Sequence, residues 1–408
     1  MYWSNFLHIY QPPTQTEDIV RKVTDESYRK LVHLLQSYPS ARVTLNINAS
    51  LTEQLVRYGL TDVLDGLRNL AERGQVEFTG SAMYHPILPL IPREEMVRQI
   101  ELNTAVNRRY LGDVYRPVGF FPPEMCYSFE VADVARDMGF RWIIVDEIAY
   151  NGKLGATRDD FLYRIHGLDD FLVFFKERPI SAGITYGSFP TADAFLNALK
   201  GRLKLDGYLL TGTDGEVYGH HRPGQEKLLE EVFARKEIET CTVSELITRF
   251  HTKEEVDPLP SSWSAWEDEM RMGNPYPQWQ YKGHDLHTLQ WELTNLAIDT
   301  VHNVAPGVDG YEEAHHLLDE GLHSCQYWWA SCRPWWDVGM IEAGAAKLAQ
   351  SVQLLKDVLE WGTVVSANRL REEISAKARE WQQTGKAQSL KEEYLREHKE
   401  VTSQLTFG

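Results

Sequence analysis

About seven times in its first 250 residues the chain repeats one unit: a short apolar run, a polar turn, then a helical pattern. The apolar runs lie at 2–10, 42–48, 75–79, 118–121, 142–145, 172–175 and 207–210. Between them, 27–38, 50–73, 94–110 and 129–138 carry apolar residues at helical spacing, and Gly59 and Gly66 interrupt the second of these. Strands separated by helices pair in parallel, with the crossovers covering the sheet. Polar residues fall at successive run ends: His8 and Gln11, Glu77 and His85, Glu124, Asp146, Arg178 and Asp214. In a closed barrel such ends converge on one face, whereas in an open sheet they spread along an edge. Convergence accounts better for so many polar ends. The pattern predicts an α/β fold, a barrel.

The densest of these ends is Thr211-Gly-Thr-Asp-Gly-Glu-Val-Tyr-Gly-His-His-Arg-Pro223. Gly207-Tyr-Leu-Leu210 leads into it and reads as a short buried strand that stops in small, turn-forming residues. A helix pattern starts at Gly224. Asp214 alone would more often cap the next helix than do chemistry. Two carboxylates (Asp214, Glu216), two imidazoles (His220, His221) and Arg222 within nine positions exceed what a cap needs, and predict a site.

Near Val256-Asp-Pro-Leu-Pro-Ser-Ser262 the pattern changes. An irregular segment with Trp263, Trp266 and Trp279 follows, then helical patterns at 284–304, 311–330, 338–361, 364–384 and 389–404. The expected organisation is a barrel over 1–255, a Trp-rich connecting segment over 256–284 and a helical domain over 285–408. A formal net charge of −17 opposes nucleic acid and anionic membrane as partners, because both select a basic face. No leader pattern opens the chain, and no apolar run is long enough to span a bilayer. The four cysteines (Cys126, Cys241, Cys325, Cys332) lack Cys-x-x-Cys spacing and suit a reducing cytosol, so a cytoplasmic location is expected.

Several chemistries lack their motifs. There is no G-x-G-x-x-G after the first strand, no phosphate-cradling G-x-x-x-x-G-K-[ST] and no G-x-S-x-G elbow. His8, Asp214, His220 and His221 are zinc-ligand types, but adjacent histidines rarely share a metal, and no H-x-x-x-H occurs. No metal and no cofactor is expected. His284 and His287 read as the N-terminal face of a helix. What remains is an acidic pair, Glu124 and Asp214, each at a strand end beside a rigid turn. Two carboxylates facing one bond are what glycoside hydrolysis requires. The residues by themselves leave Glu124 equally readable as a surface acid on a Pro-Pro loop.

Four ordered segments resemble glycoside hydrolase family 57. His8-Ile-Tyr-Gln-Pro12 is similar to its H-x-H-Q-P motif, and Gly74-Gln-Val-Glu-Phe-Thr-Gly80 to its second segment. Gly119-Phe-Phe-Pro-Pro-Glu124 resembles the G-x-W-x-x-E setting of its nucleophile, and Asp214-Gly-Glu-Val-Tyr-Gly-His220 its D-x-E-x-x-G-H. Ser324-Cys-Gln-Tyr-Trp-Trp329 is similar to a fifth, aromatic region. The resemblance implies a (β/α)7 barrel followed by a helical domain. It also implies retaining chemistry on α-glucans, with an oligo- or polysaccharide as partner. By the same resemblance Glu124 is the nucleophile and Asp214 the acid/base. The expected sugar contacts are His8, Gln11, Glu77, His85, Phe121, Glu216, His220, His221, Trp263, Trp328 and Trp329. Tyr10 stands where the family often has histidine, and Phe121 where it often has tryptophan. Amylase-like hydrolysis is the first expectation, with glucan transfer or branching as the alternative. A metal-dependent deacetylase and a non-catalytic glycan binder are more distant alternatives.

Overall fold

The computed structural model describes residues 1–398. It divides into two compact units. The first comprises Met1–Gln11, Gln15–Met83 and Pro92–Glu267, and the second Pro12–Thr14, Tyr84–Ile91 and the chain from Asp268 onward.

The first unit is built on β1 (Tyr2–Ile9), β2 (Val43–Ile47), β3 (Val76–Gly80), β4 (Gly119–Phe120), β5 (Trp142–Asp146), β6 (Leu162–Ile165), β7 (Leu172–Lys176), β8 (Tyr208–Asp214), β9 (Glu239–Thr240) and β10 (Thr252–Val256). The pairing order is β10-β6-β7-β5-β4-β3-β2-β1-β8, with β9 also on β1. The seven strands expected from the apolar runs are β1 to β5, β7 and β8, and wherever two of these seven pair they run parallel. Just past β7, the Glu177 N–H donates to Leu210 O of β8 at 2.8 Å, which curls the sheet into a distorted (β/α)7 barrel. These strands are buried along nearly their whole length, as helix-covered parallel strands are. Trp3, Leu7, Leu45, Ile47, Leu55 and Leu67 lie in the core between sheet and crossovers. Each such side chain contributes about 1.5–3 kcal/mol on burial.

Three strands were not legible in the sequence. β6 runs antiparallel to β7, and β10 pairs with β6, so the sheet continues past the barrel seam. The seventh strand runs on to Asp214, through Thr211, Gly212 and Thr213, where a turn was expected. Its small residues suit close approach, because a Cβ on Gly212 would come within 3.1 Å of Lys176 Cδ and 3.2 Å of Met125 Cε.

The crossovers match the periodic segments, with shifted ends. The first opens earlier than expected, as helix Glu17–Val23, a π-helical turn Thr24–Tyr28 and helix Arg29–Ser37. The second splits at Gly59 (φ 69°) into Ala49–Arg57 and Thr61–Glu72, while Gly66 stays within the helix at a close approach where a Cβ would strike Val32. The short helix Val243–Arg249 caps the N-terminal side of the strands. Its Val243 N–H donates to Thr44 Oγ1 and its Ser244 N–H to Glu77.

The second unit is helical: Asp285–His302, Tyr311–Gly321, Cys325–Trp328, Val338–Leu354, Trp361–Thr384 and Lys386–Glu397. His284 is the N-cap of the first, accepting from the His287 N–H at 3.1 Å. The pattern at 311–330 is two helices, with a break between Gly321 and Cys325. The helix expected at 389–404 starts earlier, at Lys386, and is described to Glu397; the expected end at 404 lies outside the described residues.

Candidate active site

The C-terminal ends of the strands carry the cluster. Register places His8 of β1 opposite Asp214 of β8 on one side and Asn46 of β2 on the other. His8 Nδ1 lies 2.8 Å from Asn46 Oδ1, and burial pushes the imidazole down to about 4 despite that bond, so His8 is neutral near pH 7. Its ring stacks 6.0 Å from Tyr10 and lies 4.8 Å from Phe121.

Asp214 ends β8 with part of its surface open. The crowded groups around it raise its pKa above the ordinary carboxylate range, while the Lys176 ammonium pulls the other way. Two residues on, Glu216 is buried and also raised, first by desolvation and then by the charge of Asp214. The Tyr28 hydroxyl, the Gln11 amide (3.4 Å) and the Tyr10 N–H (3.3 Å) all donate to Glu216 Oε1. Tyr28 comes from the π-helical turn, a feature often found at functional sites. From the same turn Ser27 Oγ donates to Gly215 O at 2.8 Å, and Glu26 Oε2 pairs with His220 Nδ1 at 2.6 Å.

Glu124 follows β4, which Pro122 and Pro123 stop after two residues by removing two N–H donors. Glu124 (φ 60°) and Met125 (φ 49°) are both left-handed, a conformation costly for residues with a Cβ and one that collects at functional sites. Trp263 straps this turn. Its backbone N–H donates to Glu124 O at 3.2 Å and its indole Nε1 to Glu124 Oε2 at 2.8 Å. The same indole lies 6.1 Å from Phe121 and 6.3 Å from His8, with Lys176 Nζ 5.7 Å from its centre. Trp263 therefore spans the distance from Glu124 to the lysine beside Asp214.

The structure thus gathers His8, Gln11, Glu124, Asp214, Glu216 and Trp263. The other expected residues lie as follows. Glu77 is the second residue of β3 and accepts from Thr44 Oγ1 and the Ser244 N–H, both at 3.1 Å, on the N-terminal side of the barrel. Phe121 is fully buried against Phe6 at 4.8 Å, with its ring 4.8 Å from His8 and 6.1 Å from Trp263. His220 holds the π-helical turn through Glu26, and His221 is exposed. In the helical unit His85 is buried in a left-handed conformation (φ 62°), with Nδ1 2.9 Å from Ser324 Oγ. There Trp328 packs 4.9 Å from Trp329 and stacks 4.6 Å from Trp335. Asn46, Tyr28 and Lys176 were missed. Of these only Lys176, directly after an apolar run, left a trace in the sequence. Among the described residues no three His, Cys, Asp or Glu side chains converge to hold a metal ion.

Comparison with known proteins agrees with this frame. An alpha-amylase of Pyrococcus horikoshii is 26% identical over 260 residues, 60% of this chain and 40% of that protein. A 4-alpha-glucanotransferase of Thermococcus litoralis is 29% identical over 157 residues, 38% of this chain and 23% of that protein. The chain thus spans less than half the length of either curated relative. Among solved structures, a GH57 branching enzyme from Thermococcus kodakaraensis matches the fold at TM-score 0.72 and 15% identity, over 93% of this chain and 95% of that one. Residues 3–258 match the sequence model of Glycosyl hydrolase family 57. That span runs from β1 through β10 and carries both Glu124 and Asp214, and the chain belongs to glycosyl hydrolase family 57.

Proposed function

We propose that this protein is a retaining α-glycosidase acting on α-glucans, with Glu124 as nucleophile and Asp214 as general acid and base. The observation that carries this reading is the contrast between the surroundings of the two carboxyl groups. Glu124 accepts the Trp263 indole N–H at 2.8 Å, while desolvation favours the protonated form of Asp214. Glu124 attacks the anomeric carbon as Asp214 gives its proton to the leaving oxygen, and a glycosyl-enzyme forms. Asp214, now anionic, takes a proton from the incoming water, whose oxygen displaces Glu124 with net retention. Neutral His8 and the Trp263 ring offer a hydrogen-bonding edge and an apolar face to a sugar.

Hydrolysis and glucan transfer share every step up to the acceptor, and the names of the relatives include both activities. We take amylase-like hydrolysis first. Incubation with maltooligosaccharides and chromatography of the products tests it: shorter products alone mean hydrolysis, longer ones mean transfer. The roles are separated by azide. Glu124→Ala should be rescued to an inverted glycosyl azide, and Asp214→Ala, given a good leaving group, to a retained one. Swapped configurations would exchange the roles, and full activity in either variant would remove that residue from the mechanism.

A further inference from the structure

Asp146 and Arg178 are polar residues at strand ends to which the mechanism gives no part. Both are buried, Asp146 at the end of β5 and Arg178 two residues past β7. The guanidinium grips Asp146 with Nε at 3.0 Å and Nη2 at 2.6 Å from Oδ1. Lys176 Nζ holds the other carboxylate oxygen at 2.9 Å. The remaining arginine donors point at one loop: Nη1 donates to Ala265 O at 2.6 Å and Nη2 to Ser262 O at 3.4 Å. The guanidinium also lies 5.8 Å from the centre of the Trp266 ring. Between these anchor points, at Ser262 and Ala265, sits Trp263, whose indole N–H reaches Glu124 at 2.8 Å.

We propose that Arg178, locked by Asp146, is a positioning residue for this enzyme: it clamps the 262–266 loop so that Trp263 donates to the nucleophilic carboxylate of Glu124. The inference rests on the proposed role of Glu124. A planar fork suits the task, because one guanidinium can hold a carboxylate through two nitrogens and still donate to two carbonyls. A lysine offers a single point charge and lacks that reach. Removing the indole donor leaves the Glu124 anion less stabilised, so its protonation moves to higher pH. The charged and titratable groups around this turn are His8 from β1, Asp146 from β5, Lys176 from β7 and Asp214 from β8, with Cys126 on the turn itself.

The test compares Trp263→Phe, Arg178→Lys and the double variant in the full-length protein. Trp263→Phe should lower kcat about tenfold, which corresponds to the loss of one hydrogen bond to a charged group. It should also move the acid limb of kcat/KM upward. Arg178→Lys should move the limb the same way, and in the Trp263→Phe background it should add little, as coupled residues do. Effects that multiply independently, or an unmoved acid limb in Arg178→Lys, would overturn the clamp. A second readout needs no turnover. With 5-fluorotryptophan incorporated, the Trp263 19F resonance, assigned by its absence in Trp263→Phe, should titrate with Glu124 and lose that titration in Glu124→Gln. Arg178→Lys should flatten the titration, and a titration kept intact would overturn the proposal. If the resonance behaves as expected while no α-glucan is turned over, the clamp stands and the proposed function falls.

Discussion

Glu124 and Asp214 meet opposite surroundings. One accepts an indole N–H, and desolvation disfavours the anion of the other. The group that balances Asp214 is Lys176, whose ammonium favours the carboxylate and so opposes burial. Both opposing effects are needed, because Asp214 must hold its proton in the first step and accept one in the second. Lys176→Met keeps the length of the side chain and removes the charge. The Asp214 pKa should then rise, so the basic limb of the kcat profile should move up by about half a unit or more, with slower release of the glycosyl-enzyme near neutral pH. A basic limb that stays in place, or moves down, would remove Lys176 from this role.

At the scale of elements, the site depends on two irregular turns. One is the left-handed pair Glu124 and Met125 after β4, strapped by Trp263. The other is the stretch after β8, held by the π-helical turn through Ser27, Tyr28 and Glu26. Gly219 sits at the point of contact between this stretch and the turn. Its φ is 110°, and a Cβ there would lie 2.1 Å from the carbonyl oxygen of Glu26. Gly219→Ala therefore meets both backbone strain and a clash with an atom that cannot rotate away. Chemical denaturation should report a loss of about 1–3 kcal/mol. Activity should fall more than stability alone explains, because the Glu216 and His220 contacts shift with the turn. Wild-type stability and kinetics in Gly219→Ala would show that the turn is not under this constraint.

For the whole molecule, burial sets the dependence of stability on pH from two sides. Burial holds His8 and His284 at about 4 and His323 at about 3, all below the unfolded value. The unfolded chain then binds more protons below pH 6.5, and stability falls as the pH drops through that range. The carboxyl groups of Glu77, Glu147, Glu177, Asp214 and Glu216 are raised by desolvation. Their stabilising contribution is full below their unfolded values and is lost as the pH rises through the raised ones. His323 is fully buried, and both of its ring nitrogens lack a hydrogen-bond partner. His323→Leu should raise the melting temperature, increasingly so as the pH falls from 6.5 to 4.5. Glu216→Gln should slow the loss of stability as the pH rises from about 4.5 to about 8, even as it weakens activity. Thermal unfolding across pH 4.5–8.5 checks both, and a pH-independent difference from wild type in either variant would contradict this account.

The barrel was legible because its period is local. Alternating apolar runs and helical faces are written in neighbouring residues, and parallel strands with helical crossovers follow from them. The ends of those runs pointed to Glu124, Asp214 and His8 for the same reason, since a residue at the end of a parallel strand faces the side where the ends converge. The sequence alone could not separate Glu77 from that group. Thr44 and the Ser244 N–H, which bond it on the N-terminal side, are distant in sequence and adjacent only in the fold. The extension of β8 to Asp214 was hidden too, because Thr211, Gly212 and Thr213 read locally as a turn and become strand through pairing with β1. The packing of Phe121 against Phe6, His8 and Trp263 was equally hidden, because all three are distant in sequence. The environments that tune the carboxyl groups come from Trp263, Lys176, Tyr28 and Arg178, which long-range packing alone brings together. Residue order determined which groups could do chemistry at the strand ends. Tertiary structure decided which of them share a desolvated, hydrogen-bonded space, because burial and charge act through distance and not through sequence.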